Sequence, residues 1–516
     1  MNLLAFKVKE FSLIHSVLFA IFPGIVLYAV NRSSVPFEGF ILPILLVVSF
    51  VIIIWIILRF ILKNSKKAGF IVSSFFFIIL MSFHIVNIIS GNEIISLTKT
   101  HFVVIALIIF GLSTYYFVRT KRKLDNATKI TNGIAIALLL IVLVNIGMFQ
   151  WEKNSSLEAL GTFEKEVTVS TNDNPPDVYY FMLDGHTNQL VAEKFLEYDD
   201  KEFIKFLNEK GFYVPSHYTH SNYLWTQVTV PAILNMNYVD KIVEGYENSE
   251  PPKWILYEVV DRNQVMKNFK SMGYTVINFD SGWWSTKIIE NADANLCTNL
   301  VIDYALLRQI KETTLLPSIK VVDDLLYSQK RNQILCELDQ VKTVRERFDG
   351  PLFVFAHIVA PHSPFVFDAN GKMPKEFVPK VGEEAYSELV EERRSGYLDQ
   401  MKFIDNEMQK IIEKLLADTE REKIIIIQSD HGPRIISDER TEDESKVIRI
   451  GNFNAYYLPG KSGEELFSEH FTNVNTFRII FNSYFNGNYE ILEDVVIMDD
   501  DEVKNWKDIV NSVFPT

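Results

Sequence analysis

The feature that most constrains the fold is a succession of five long apolar segments before residue 150. Each is close to the roughly 20 apolar residues that an α-helix needs to cross a bilayer. Short polar loops separate them, which fits membrane-spanning helices better than buried helices of a soluble core. No small-residue cleavage pattern follows the first segment, which argues against a cleaved signal peptide. The sequence therefore predicts a bundle of five transmembrane helices, at about residues 11–31, 39–62, 68–90, 101–118 and 132–149.

Basic residues in the loops predict the orientation of these helices. One side of the predicted bundle carries ten Lys and Arg residues, and the other side carries only Arg32 and Lys99. Because cytoplasmic loops are enriched in Lys and Arg, we expect the N-terminus in the cytoplasm. Five crossings then place everything after residue 150 outside the cytoplasm, in a multi-pass protein of the cell membrane. The ten residues are Lys7, Lys9, Lys63, Lys66, Lys67, Arg119, Lys121, Arg122, Lys123 and Lys129.

The charge balance changes at the same point. Residues 1–150 carry 13 Lys and Arg against 4 Asp and Glu, a net charge of +9, whereas the whole chain has −14, so the remainder carries −23. Such an acidic body argues against nucleic-acid binding, which requires a basic surface. We therefore expect a transmembrane domain at 1–150, a polar linker at 151–175 and an extracytoplasmic catalytic domain at 176–516.

The two cysteines of the chain, Cys297 and Cys336, both lie in the predicted external domain. A disulfide can persist in an extracytoplasmic compartment. The sequence leaves open whether the two residues form a bridge or remain separate buried thiols.

After Pro176 the pattern alternates between short β-rich runs and amphipathic helical segments, which is typical of a layered α/β domain. Near-continuous apolar runs predict strands that are covered by helices on both faces. Helices are predicted at 382–416 and 473–487, with their apolar positions used for packing. The predicted strands are 177–183, 274–279, 352–358 and 423–429.

Polar residues follow these strands directly. Asp184 ends the first, Asp280 the second, and Asp430 with His431 the fourth. In parallel sheets the carboxyl ends of the strands meet at a crevice where ligands bind. A carboxylate next to an imidazole is a natural pair of metal ligands, and Gly432 would let the backbone turn sharply beneath the ion. Asp184 could supply a further carboxylate, although a single Asp at a strand end is often only a turn or helix cap.

Three segments resemble those of a known superfamily. IIIIQSDHG (424–432) looks like the metal-binding signature of the alkaline phosphatase superfamily, which includes sulfatases, lipoteichoic acid synthases and lipid phosphoethanolamine transferases. DVYYFMLDGH (177–186) resembles the strand with the first metal carboxylate, and AHIVAPHSPF (356–365) resembles the histidine loop. The resemblance covers about residues 176–486. It implies an α/β/α sandwich with a bound divalent metal, Zn or Mn in the first place and Mg or Ca otherwise.

The resemblance also implies a nucleophile. SNYLWTQVTVPAIL (221–234) is similar to the T-x-V-S-V-P segment of the phosphoethanolamine transferases, which makes Thr226 the expected nucleophile and metal ligand, with Thr229 as its nearest rival. Metal contact would lower the pKa of a threonine hydroxyl and make it competent to attack phosphorus. A formylglycine sulfatase would need a C/S-x-P-x-R sequence, which this chain lacks.

Four further residues are candidates for substrate or second-metal contact. His357 and His362 are expected near a phosphate oxygen or a second metal by resemblance, although His357 would also fit as a satisfied core histidine. Asp280 and Arg434 are candidates for substrate contact, because an arginine can bind a phosphate bidentately, but both also fit as turn or surface residues. The transferases have a further histidine soon after DHG, and this chain has none before position 470, so we expect one tightly held ion.

Together these features predict a two-step transferase. Thr226 would take a phosphoglycerol or phosphoethanolamine type group from a membrane lipid and pass it to a glycolipid, a lipid-linked glycan or a surface polysaccharide. Membrane tethering favours transfer because it raises the local concentration of lipid donors. The alternatives are a phosphate or sulfate ester hydrolase and, as a third, an inactive scaffold.

Overall fold

The computed structural model describes residues 11–32, 38–90, 99–159, 169–171, 174–243, 253–298, 320–375, 390–434, 440–467, 472–498, 501–502 and 506–514. The chain forms two compact units, which are described separately. The first comprises residues 1–161 and 302–326, and the second comprises residues 162–301 and 327–516. Much of the predicted linker (160–168 and 172–173), the start of the predicted helix 382–416 and the basic residues Lys7 and Lys9 lie outside the described residues.

The first unit is helical. Among the described residues, three stretches are long and apolar enough to cross a membrane, namely Ile14–Asn31, Phe40–Leu62 and Asp125–Ser155. Large apolar side chains such as Phe60, which is 85% exposed, face outward, as lipid contact requires. An apolar helical N-terminal region is therefore confirmed, whereas the count of five spans stays a prediction. The described helices are α1 (Ile14–Asn31), α2 (Glu38–Leu62), α3 (Ser65–Ser90), α4 (Lys99–Arg119) and α5 (Asp125–Ala159), preceded by a 3₁₀ turn at Phe11–Leu13.

The second unit is built on a mixed six-stranded sheet in the order β3-β2-β4-β1-β5-β6. The first five strands run parallel, and β6 pairs antiparallel with β5. All four predicted strands form, with bounds that agree to within one residue. The strands are β1 (Asp177–Leu183), β2 (Thr275–Phe279), β3 (Ala294–Leu296), β4 (Leu352–Ile358), β5 (Lys423–Gln428) and β6 (Asn454–Tyr457), with a separate pair β7 (Ile497–Met498) and β8 (Asp501–Glu502).

Helices and short turns connect these strands. The helices of this unit are α6 (Gln189–Leu196), α7 (Lys201–Glu209), α8 (Thr226–Asn235), α9 (Val239–Ile242), α10 (Lys253–Asp261), α11 (Gln264–Ser271), α12 (Lys320–Gln340, from residue 327 on), α13 (Val390–Ala417), α14 (Glu442–Ile450), α15 (Gly463–Leu466), α16 (Thr476–Tyr484) and α17 (Trp506–Val513). Three 3₁₀ turns lie at Trp284–Thr286, Val341–Arg347 and Asn473–Asn475. Helix α16 falls within the helix predicted at 473–487, and α13 lies in the helix predicted at 382–416 but ends one residue later, at Ala417.

Both faces of the sheet are covered by helices. Successive side chains of a strand point to opposite faces, and in β1 Tyr179 and Phe181 enter one core while Tyr180 and Met182 enter the other. The first core also takes residues of α7, α12 and α13, and the second takes residues of α8, α10, α11 and α16. This three-layer arrangement explains why the strands are apolar throughout, as the sequence predicted for buried strands.

A disulfide joins Cys297, just after β3, to Cys336 in α12. The two residues are 39 positions apart in the sequence. Of the two alternatives that the sequence left open, the structure therefore forms the bridge.

The core beneath α11 provides a test of this packing. Phe269 is fully buried and stacks on Phe353 of β4, with 4.3 Å between the ring centroids. We expect Phe269→Ala to lower the free energy of unfolding by about 3–5 kcal/mol, because it leaves a large cavity. Denaturant unfolding of the detergent-solubilised chain, followed by tryptophan fluorescence, measures the change. The exposed Lys267 on the same helix is the matched control; Lys267→Ala should change stability by less than about 0.5 kcal/mol, and equal losses in both variants would contradict the packing described.

Candidate active site

Three adjacent strands bring the central side chains together. Because β4, β1 and β5 are neighbours and parallel, their carboxyl ends lie at one edge of the sheet. Asp184 follows β1, and Asp430 and His431 follow β5; all three are buried and offer ligand atoms within 4.8 Å of one another. His431 Nε2 lies 3.2 Å from Asp430 Oδ2 and 4.0 Å from Asp184 Oδ1.

Thr226 is the first residue of α8 and reaches this group from outside the sheet. Its Oγ1 donates to Asp430 Oδ2 at 2.5 Å and lies 3.1 Å from His431 Nε2. The preceding residue, Trp225, has an extended backbone, so the helix begins at Thr226. The hydroxyl of its rival, Thr229, instead donates to the carbonyl of Trp225 at 3.1 Å.

The residues present fit a divalent cation. Both carboxylate oxygens of Asp184 are buried and have no hydrogen-bond partner among the described residues. Burying an unpaired carboxylate is costly unless a cation or a donor compensates it. Asp184, Asp430, His431 and Thr226 supply oxygen donors and one imidazole nitrogen, a mixed set that suits Zn²⁺ or Mn²⁺.

Electrostatics at this edge of the sheet agree with metal binding. Burial, with the charge of Asp184 added, raises the pKa of Asp430 to about 6. Burial, with the charge of Arg449 added, lowers the pKa of His431 to about 3. Burial alone would raise the pKa of Asp184, but the neighbouring histidines, led by His362, bring it below its usual value. Neutral His431 therefore keeps a lone pair for a metal, while the two carboxylates repel each other.

His357 and His362 both lie beside Asp184. His357 Nδ1 is 2.7 Å from Thr286 Oγ1, and its buried Nε2 is 3.6 Å from Asp184 Oδ2 without a hydrogen-bond partner among the described residues. His362 donates its backbone N–H to the carbonyl of Asp184 at 3.0 Å. Its own carbonyl accepts from Lys330 Nζ at 2.8 Å. The His357 ring thus faces Asp184, and the His362 loop is anchored to the residue that carries this carboxylate.

Asp280 and Arg434 have different surroundings. The Asp280 carboxylate accepts the backbone N–H of Gly282 at 2.8 Å within its own loop, and burial raises the pKa of Asp280 to about 6. The Arg434 guanidinium lies over the ring of Trp225, 5.3 Å from its centroid. Arg434 is therefore next to the residue that precedes Thr226. Asp280 instead forms its described contacts after β2, which β4 separates from β1.

Sequence reasoning missed Arg449, in the last turn of α14. Its Nη1 lies 3.1 Å from His431 Nδ1 and donates to the carbonyl of Gly432 at 2.9 Å, and its Nη2 lies 3.3 Å from His431 Nε2. Its guanidinium carbon is 4.9 Å from the centroid of the Trp225 ring. No motif marks this position, because its place depends on how α14 packs against the DHG turn.

Gly432 explains that packing. A Cβ at Gly432 would lie 2.0 Å from the carbonyl oxygen of Ile448 and 2.5 Å from that of Gly451. The glycine therefore allows the close approach of α14, and its expected role in a sharp turn beneath an ion stays a prediction. Its backbone N–H donates to the carbonyl of Arg449 at 2.8 Å.

The structure contains a buried cluster of acidic and histidine side chains that could hold a metal ion, and the sequence comparison names the family. The profile of the Sulfatase family matches residues 180–474, more than half of the chain. The chain therefore belongs to the Sulfatase family and is an enzyme of the alkaline phosphatase superfamily, as the three segments predicted. No curated protein sequence matches the chain.

Solved structures with a similar fold are distant in sequence. The C-terminal periplasmic domain of EptC from Escherichia coli, in complex with Zn, has 9% identity and a TM-score of 0.42, over 63% of this chain and 86% of that one. The integral membrane lipooligosaccharide phosphoethanolamine transferase A from Neisseria meningitidis has 11% identity and a TM-score of 0.37, over 87% and 88%. Phosphonate monoester hydrolase of Agrobacterium radiobacter has 12% identity and a TM-score of 0.39, over 62% and 79%.

The ligand set can be tested by metal analysis. We expect Asp184→Asn to remove most of the bound divalent ion from the purified full chain, because it replaces a charged ligand by a neutral one. Elemental analysis after dialysis against limiting zinc measures the metal content. Asp280→Asn is the matched control, since it also changes a buried carboxylate that follows a strand. Equal metal content in the Asp184→Asn variant and the unaltered chain would refute the assignment.

Proposed function

We propose that the protein is a membrane-anchored, metal-dependent transferase that moves a phospho-head group of the phosphoglycerol or phosphoethanolamine type through a covalent Thr226 intermediate. The observation that carries this proposal is the contact of Thr226 Oγ1 with Asp430 and His431, beside the Asp184 carboxylate, which accepts no hydrogen bond from the described residues. A hydroxyl held by two such groups at the start of a helix is positioned as a nucleophile. Similarity to the T-x-V-S-V-P segment supports phosphorus as the target.

In the first step, the Thr226 oxygen bonds to phosphorus and the bond from phosphorus to the lipid alcohol breaks, while the hydroxyl proton passes through Asp430 to the departing alcohol. In the second step, an acceptor hydroxyl attacks the same phosphorus, the bond from phosphorus to Thr226 breaks, and the acceptor's proton returns to the Thr226 oxygen. Asp430 orients the hydroxyl through the 2.5 Å hydrogen bond, and neutral His431 limits the positions it can take. A bound divalent ion would supply Lewis acidity at the hydroxyl and at the phosphoryl oxygens.

The surroundings of the nucleophile suit an anionic substrate. The start of α8 carries the partial positive charge of a helix N-terminus, which favours a phosphate group next to Thr226. We assign His362, with His357, to the phosphoryl oxygens or to a weaker second ion. We assign Arg434 to substrate binding, and Asp280 to contact with the outer part of the substrate.

The substrates follow from membrane attachment. We propose five spans, a cytoplasmic N-terminus and an extracytoplasmic catalytic unit, in agreement with the basic residues of the loops. Membrane lipids are the proposed donors, and a glycolipid, a lipid-linked glycan or a surface polysaccharide is the proposed acceptor. Anchoring raises the local lipid concentration and so favours transfer over hydrolysis.

A phosphate or sulfate ester hydrolase is the second candidate. Membership of the Sulfatase family favours it, and it differs only in using water as the acceptor. The missing C/S-x-P-x-R sequence speaks against sulfate ester cleavage by a formylglycine.

Variants of Thr226 test the proposal. We expect Thr226→Ala to abolish turnover, and Thr226→Ser to keep a measurable part of it, because serine retains the hydroxyl. In the unaltered chain, mass spectrometry of membranes supplied with donor lipid should find a phosphorus-containing adduct on the peptide with Thr226. Thr229→Ala, on the same helix, should keep both turnover and adduct. Full turnover by the Thr226→Ala variant, or an adduct at Thr229, would contradict the proposed mechanism.

A further inference from the structure

Formal charge at the site is not balanced by one ion. Two carboxylates, Asp184 and Asp430, neutralise a single divalent cation. The reaction proposed above then brings two further negative charges, the Thr226 oxyanion and the phosphodiester. A second metal ion would balance them, but the sequence has no histidine in the stretch after DHG where the resembling transferases have one. Positively charged side chains must therefore balance these negative charges.

Two arginine side chains lie where positive charge is required, beside the nucleophile. Arg449 and Arg434 both lie against the indole of Trp225, 4.9 and 5.3 Å from its centroid. Trp225 immediately precedes the nucleophile and is 38% exposed, so this side of the site is open to solvent. A guanidinium stacked on an aromatic ring is held in place by a cation–π contact and still presents its N–H groups at the edge.

Arg449 also reaches the atom that faces the nucleophile. Its Nη2 is 3.3 Å from His431 Nε2, and the same Nε2 is 3.1 Å from Thr226 Oγ1. The Nε2 lone pair can serve either an ion or this N–H. An ion bound at Nε2 would take this acceptor from Arg449, and the N–H would then be directed to an oxygen of the substrate. Its other nitrogen, Nη1, donates to the carbonyl of Gly432 at 2.9 Å, and this hydrogen bond anchors the guanidinium during the exchange.

We propose that Arg449, together with Arg434 on the Trp225 ring, forms an anion-binding subsite for the non-bridging oxygens of the phosphoryl group, which does not require a second metal ion. Arg449 is the inner member, because it touches His431 and the DHG turn. Arg434 is the outer member and binds the remaining charge of the substrate. This inference rests on the proposed phosphoryl chemistry, but it makes a claim about anion binding that holds without turnover.

Inorganic phosphate is the probe, and the full chain in detergent, loaded with zinc, is the sample. Isothermal titration should show that Arg449→Gln weakens phosphate binding at least about tenfold and that Arg434→Gln weakens it less. The metal content should stay unchanged in both. With bis(4-nitrophenyl) phosphate, Arg449→Gln should lower kcat/KM by about 10²–10³, as loss of one preorganised donor does elsewhere. Added guanidinium should restore part of the activity of Arg449→Ala.

Lys446→Gln is the matched control, because it removes a positive charge from the same helix, where Lys446 pairs with Glu442. It should leave phosphate affinity and kcat/KM unchanged. Unaltered phosphate affinity in Arg449→Gln at full metal content would overturn the inference. The inference would also be overturned if Arg449→Gln lost its metal and excess zinc restored both the metal content and the activity. Arg449 would then only position His431. Turnover in Thr226→Ala would instead refute the proposed function, whatever the phosphate affinities.

Discussion

The repulsion between two buried carboxylates dominates this structure. Asp184 and Asp430 are held at one sheet edge because the strands that precede them, β1 and β5, pair in parallel register and are covered on both faces. Neither side chain can retreat to solvent, and the carboxylate of Asp184 has no hydrogen-bond partner among the described residues. The folding energy of the sheet thus maintains a concentration of negative charge that a bound cation would relieve.

Every other part of the site can be understood from that charge. The start of α8, with its positive end, lies beside it and presents Thr226. Burial keeps the His431 imidazole neutral and therefore able to donate a lone pair. Arginines approach from α14 and from the segment after DHG, and both rest on Trp225. Oxygen, nitrogen and guanidinium groups thus surround one position from the ends of β1 and β5, from α8, from α14 and from the segment after DHG.

Sequence alone predicted the parts of this arrangement that depend on local pattern. Strands β1, β2, β4 and β5 are long apolar runs, and the polar residues that follow them are visible without a structure. Strand β3 has only three residues, and β6 is the short polar-aromatic run NAYY, so neither has enough pattern to be recognised. Arg449 was missed for another reason: its contact with His431 exists only because α14 packs on a glycine 17 positions earlier in the chain.

Helix α12 shows how the site is braced from a distance. Lys330 donates to the carbonyl of His362 at 2.8 Å, Gln333 donates to the carbonyl of Asp280, and Cys336 bonds to Cys297 beyond β3. One helix therefore holds both loops at this end of the sheet, and a covalent bond fixes that helix. Because such a bond forms in oxidising compartments and is reduced in the cytoplasm, the strength of this brace depends on the redox state of the compartment that holds this unit.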